Sequence, residues 1–185
     1  MKKLVFLVFA FISANAHAQV IIGDDKGTVV DKTSVLLEFA KNNDGNKNCK
    51  GLILPYVQVL PSSIDATEGT ILLHADENGA KSRMKYYNGS EWIDLSGRDA
   101  NISSSLAIQN GKAEKPDAKV IIGSTETSAN GALVLESTTK AMVLPIVEDV
   151  INIPSPSPGM MVYVKKDGAK RLAVFNGNVW SFWRS

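Results

Sequence analysis

The sequence predicts an all-β chain made of two tandem strand-rich repeats, each closing in a β-hairpin. Three observations carry this: a set of motifs that recurs in order, short apolar runs bounded by glycine, and an Asn-Gly pair near the end of each copy. Val20-Ile21-Ile22-Gly23 returns as Val120-Ile121-Ile122-Gly123, and Val35-Leu36-Leu37-Glu38 as Leu133-Val134-Leu135-Glu136. Lys50-Gly51-Leu52-Ile53-Leu54-Pro55 returns as Lys140-Ala141-Met142-Val143-Leu144-Pro145, and Gly79-Ala80-Lys81 as Gly168-Ala169-Lys170. Tyr87-Asn88-Gly89 with Trp92 returns as Phe175-Asn176-Gly177 with Trp180. The offset falls from 100 to 98, 90, 89 and 88, so the main length difference is one polar insertion, Lys41 to Cys49, of loop-tip composition.

The repeats divide the chain into a first unit, 19–95, a connector, 96–119, and a second unit, 120–185. Ser103-Ser104-Ser105, Asn110-Gly111 and Pro116 give the connector loop chemistry, with Leu106-Ala107-Ile108 available to pair as a strand in an assembled form. Within the units, Ile71-Leu72-Leu73 and Met161-Val162-Tyr163-Val164 are too short for buried helices and right for strands. Outside the N-terminus only Ile64 to Glu68 and Val147 to Ile151 could form a helical turn, ended by Gly69 and Pro154.

Asn88-Gly89 and Asn176-Gly177 are expected to centre two-residue type I′ turns, because both positions of such a turn need positive φ. That register sets Tyr87 opposite Ser90 and Lys85 opposite Trp92, with Tyr87 and Trp92 diagonal on one face. Phe175, Trp180 and Phe182 share the matching face of the second hairpin. The opposite faces carry Met84, Tyr86, Ile93 and Leu95, or Leu172, Val174, Val179 and Trp183. Two apolar faces predict that one packs inside the unit and the other against a neighbour. Tyr87, Trp92, Phe175 and Trp180 are therefore the candidate ligand or subunit contacts.

Residues 1–18 read as a secretory signal peptide. Lys2 and Lys3 precede an apolar run from Leu4 to Ile12, well short of the roughly 20 residues that span a bilayer. Ala16-His17-Ala18 places small residues for cleavage before Gln19. No cysteine follows that point to accept lipid, so the mature chain is expected without a transmembrane or lipid anchor. The expected location is extracellular or the outer cell surface, with the periplasm as the alternative.

The whole chain has 20 basic and 19 acidic residues; loss of Lys2 and Lys3 leaves 18 against 19, a net charge of −1. With Lys and Arg scattered among acids, no basic stripe is present for nucleic acid. Cys49 is the sole cysteine, so no intrachain disulfide can form, and it is read as an unpaired thiol or, less readily, an interchain one. After cleavage one His and one Cys remain, too few for a zinc centre built on such ligands. His74 has no accompanying nucleophile motif, and neither a nucleophile elbow nor a phosphate-binding loop occurs. Asn42-Asn43-Asp44-Gly45-Asn46 imitates a calcium loop, but Ala40 takes the first ligand position and no closing glutamate follows. Asp24-Asp25 and Asp76-Glu77 read as solvated turn residues. The expectation is a chain with no catalytic residues, metal or cofactor.

The string Val120-Ile121-Ile122-Gly123, Ala132 to Lys140, Leu144-Pro145, Pro158-Gly159-Met160-Met161-Val162-Tyr163 and Phe175-Asn176-Gly177-x-x-Trp180 resembles the repeats of bacterial secreted tail-fibre-like proteins. The likeness covers 120–183 well and 20–95 more loosely, where Asn46-Lys47-Asn48-Cys49 replaces the Ser-Thr-Thr run. Such repeats commonly place arginine after the proline, whereas Tyr56 and Ile146 stand here. The resemblance implies intertwined β-strands, often of three chains around one axis, in stalks or adhesive surface proteins. The expected function is thus an exported, non-enzymatic structural or adhesive fibre-like homo-oligomer, with a trimer favoured and a surface glycan or protein as possible partner. The alternative is a monomeric glycan- or protein-binding module with one aromatic site per repeat.

Overall fold

A computed structural model describes residues 20–23, 33–39, 51–109, 111–113, 115 and 118–183. The signal peptide, Asp24-Asp25, the calcium-like run and Cys49 lie outside the described residues.

The described residues of the first unit supply β1 (Val20–Ile22), β2 (Val35–Phe39), β3 (Leu52–Ile53), β4 (Tyr56–Val57), β5 (Ile71–Ala75), β6 (Ser82–Tyr87) and β7 (Trp92–Asp94). The second repeats the series as β8 (Val120–Ile122), β9 (Leu133–Leu135), β10 (Ala141–Val143), β11 (Ile146–Val147), β12 (Met160–Val164), β13 (Arg171–Phe175) and β14 (Trp180–Trp183). Pairing repeats too. β1 with β2 and β8 with β9 are parallel, as are β4 with β5 and β11 with β12. β5-β6-β7 and β12-β13-β14 are antiparallel meanders. The described residues are all-β apart from one four-residue helix and two 3-10 turns, Ala107–Gln109 and Val150–Asn152.

The two units are interlaced. β10 of the second unit lies parallel on β2 of the first, while β3 of the first lies antiparallel on β12 of the second. The main core forms between them, from Leu73, Met84 and Leu95 on one side and Met161 and Val174 on the other. A second core, of Val147, Ile153, Met160, Val162 and Val164, fills the far side of the second meander. Each such side chain taken fully from water contributes about 1.5–3 kcal/mol, enough for interlacing to hold small sheets that would not stand alone.

The connector departs from its expected form. Within the single chain Leu106-Ala107-Ile108 forms no strand: α1 (Ser103–Leu106) runs into the 3-10 turn. Asn101 Oδ1 accepts from the Ser103 backbone N–H at 3.0 Å and its hydroxyl at 2.8 Å, which starts the turn. Ile102 and Leu106 then sit in the inter-unit core, so this stretch is core as well as connector. Of the two possible helical turns, the second forms at Val150–Asn152, where Asp149 accepts from the Ile151 N–H. The first is a turn in which Ser62 O accepts from Asp65 and Ala66.

The hairpin register also differs from expectation. Tyr87 lies opposite Trp92 and Phe175 opposite Trp180, so each loop has four residues, not two. Gly89 (φ 93°) and Gly177 (φ 109°) take the left-handed region, but neither asparagine does, and a type I′ turn needs both. The asparagine side chain closes the loop instead: Asn88 Oδ1 accepts from Ser90 and Glu91 N–H, and Asn176 Oδ1 from Asn178 and Val179 N–H. Val179, expected on a strand face, belongs to the loop.

Candidate functional site

The four aromatic candidates form two matching pairs. Tyr87 and Trp92 have ring centroids 5.3 Å apart at 46°, and Phe175 and Trp180 are 5.2 Å apart at 44°. The four-residue loop brings each pair directly opposite rather than diagonal. Tyr87 is only 3% exposed, and Trp92 donates Nε1–H to Pro61 O at 3.1 Å, so the segment before β5 lies over this pair. Phe175 and Trp180 pack on the second core beside Val150. Tyr87 is thus enclosed within its own unit, whereas Trp92, Phe175 and Trp180 are half-buried against theirs.

The opposite hairpin faces meet each other. Tyr86 and Trp183 contact edge to face at 6.4 Å, and Met84 and Val174 share the inter-unit core. The neighbour expected for the second apolar face is therefore the other repeat of the same chain. The second hairpin tip is fastened across this boundary: buried Asn176 donates Nδ2–H to Arg98 O at 2.6 Å, and its own carbonyl accepts from the Ser82 hydroxyl at 3.2 Å. Ser181 donates to Ser96 O beside it.

Equivalent positions carry different chemistry. In the first hairpin Arg83 bridges Asp94 at 2.6 Å and Asp99 at 2.7 Å. In the second, Arg171 stands 4.0 Å from the ring centroid of Phe182, a cation–π contact in the position of the ion pair. Burial would push the Asp94 carboxyl up, but hydrogen bonds from Ser96, Arg83 and Gly97 outweigh it and hold it below the usual carboxylate range. His74 lies half-buried opposite Arg83; burial, then Lys85, lower its pKa. Asp76 accepts from the Lys81 N–H at 3.2 Å across the turn between β5 and β6. Among the described residues no three His, Cys, Asp or Glu side chains converge as a metal site, and no helix is long and apolar enough to cross a membrane.

The strand edges were not among the sequence candidates. β12 is covered on its outer edge by β3 along Met160 and Met161 and by β11 along Tyr163 and Val164. β5 carries β4 along Leu73 and His74, with no strand beyond it at Ile71 among the described residues. Among the described residues β10 ends its sheet, with β2 on one side only. The signal lay in the repeat, since β3 and β10 are the same motif in the two copies.

The described residues thus form interlaced β-repeats, each with one aromatic pair packed against its own unit. Residues 121–184 match the family model described as phage tail like trimerisation region, which supports a trimeric, fibre-like assembly. No curated protein and no solved structure matches the chain. The resemblance read from the second repeat and the all-β class are borne out together.

Proposed function

We propose that the chain is an exported, non-enzymatic structural or adhesive protein acting as a fibre-like homotrimer at the outer cell surface or in the medium. The observation that carries this reading is the trimerisation-region match over the second unit, on a fold whose cores are built by interlacing. Export is supported by the Lys2-Lys3, Leu4–Ile12 and Ala16-His17-Ala18 series. Phe182 and Trp183, 39% and 46% exposed on the last strand, support a contact role toward a surface partner. The test is fractionation of producing cells, with mass spectrometry of the recovered chain. The expected result is a chain starting at Gln19, found outside the cytoplasm and cut by protease added to intact cells. A full-length chain confined to the cytoplasm would refute it.

A further inference from the structure

Among the described residues, one pairing between the repeats occurs only once within the chain. Leu52 and Ile53 of β3 lie antiparallel to Met161 and Met160 of β12, and Leu54 donates its N–H to Gly159 O at 3.1 Å. The repeat offset of 90 turns this set into Met142 and Val143 against Ile71 and Thr70, with Leu144 donating to Gly69 O. The same offset relates the neighbouring contacts, since Leu73 donates to Pro55 O and Tyr163 to Pro145 O, both at 2.9 Å. The register is therefore the same on both edges.

The equivalent groups are unoccupied among the described residues. Gly159 (φ 76°) and Gly69 (φ 86°) share a backbone conformation. A Cβ at Gly159 would lie 3.2 Å from both Leu54 O and the Tyr56 ring, whereas no described atom lies within 4 Å of one at Gly69. Met161 is buried but Ile71 only half so. Among the described residues neither Leu144 N–H nor Gly69 O has a hydrogen-bond partner. Side-chain sizes also compensate. Gly51 passes so close to Met160 that a Cβ there would overlap it, while the corresponding pair is the larger Ala141 with the smaller Thr70.

We propose that β10 of one chain pairs antiparallel with the start of β5 of a second copy, Val143 opposite Thr70 and Met142 opposite Ile71. The inference rests on the trimeric reading and assigns it a contact. The contact is head-to-tail, because the second unit of one chain meets the first unit of the next, and such contacts close into rings when the rotation permits. Three chains would then set six units in a ring, with β3 on β12 inside each chain alternating with β10 on β5 between chains.

Thr70→Cys with Val143→Cys in a Cys49→Ser chain tests this, read on non-reducing gels after mild oxidation beside the solution mass. Val143 and Thr70 take the place of Ile53 and Met160, a facing pair with the Cα separation of about 4.5–5.5 Å that a disulfide accepts. The expected product is covalent trimer, whereas Ile53→Cys with Met160→Cys closes within one chain and runs as monomer. Three-chain mass with no interchain bond at 70 and 143, while the control pair oxidises, would overturn the pairing and leave the trimer intact. A one-chain mass would overturn both. Hydrogen exchange on the unaltered trimer gives a second reading free of substitutions: the Ile71 and Leu144 amides are expected to be protected like those of Met161 and Leu54, and free exchange would overturn the proposal.

Discussion

Leu73 and Tyr163 occupy the same place in the two repeats, each donating its N–H to the Leu-Pro carbonyl of its own unit, yet Leu73 is fully buried and Tyr163 is 37% exposed. Among the described residues the edges beside them are reversed: covered at Gly159 and Met161, open at Gly69 and Ile71. Equal sequence patterns thus produce equal strands, while what lies against a strand depends on where its unit sits in the interlaced pair. The first unit gives its side chains to the core between repeats, and the second gives its edge to β3.

The largest break in this comparison is expected at the core. Leu73→Ala should cost about 2–5 kcal/mol through the cavity left between the units, and Tyr163→Ala less than about 1.5 kcal/mol, measured by denaturant unfolding. Equal losses would contradict the asymmetry. Next come the hairpin tips. Asn176→Ala removes the bond to Arg98 O and both loop bonds at a buried site, with an expected cost of about 1–3 kcal/mol. Asn88→Ala, at an exposed tip, should cost under about 1 kcal/mol.

Glycine substitution sharpens the edge comparison. Gly69→Ala and Gly159→Ala share the strain of positive φ, about 1 kcal/mol, but only Gly159 also meets Leu54 O. If β10 of another chain fills the space at Gly69, Gly69→Ala should weaken the trimer several-fold in a dilution series while leaving the fold of each chain intact.

The smallest effect is in acid. Asp94 has a depressed folded pKa, so its contribution is complete above its unfolded value of about 3.9 and is lost as pH falls through the folded one. Arg171 and Phe182, in the equivalent place, have no carboxylate to protonate. Asp94→Asn should therefore remove part of the stability slope below about pH 4, by less than about 1 kcal/mol for so exposed an arginine partner. His74 acts nearer neutrality. Its folded pKa lies below the ordinary 6.5 or so, so stability is complete above that value and falls as pH drops below it, a slope that His74→Gln should remove.

Much of the strand order was legible because glycine and proline punctuate short apolar runs twice in the same sequence order. The hairpins were legible in position but not in register: Asn-Gly favours the two-residue turn locally, whereas here the asparagine side chain caps a wider loop and brings Tyr87 opposite Trp92. The connector misled by composition, since three serines hid the short helix that seats Ile102 and Leu106 in the core. The partner of each apolar hairpin face could not be read from pattern alone. Period-two alternation shows that Met84 and Val174 are buried but not that they are buried against one another. Edge occupancy was still further from view, because β3 and β10 carry one motif and take different places.

The central claim is a trimer, and absolute mass in solution tests it most directly. Light scattering after size exclusion on the chain from Gln19 to Ser185 should give three times the chain mass, unchanged on moderate dilution. A folded species of one chain mass would contradict it.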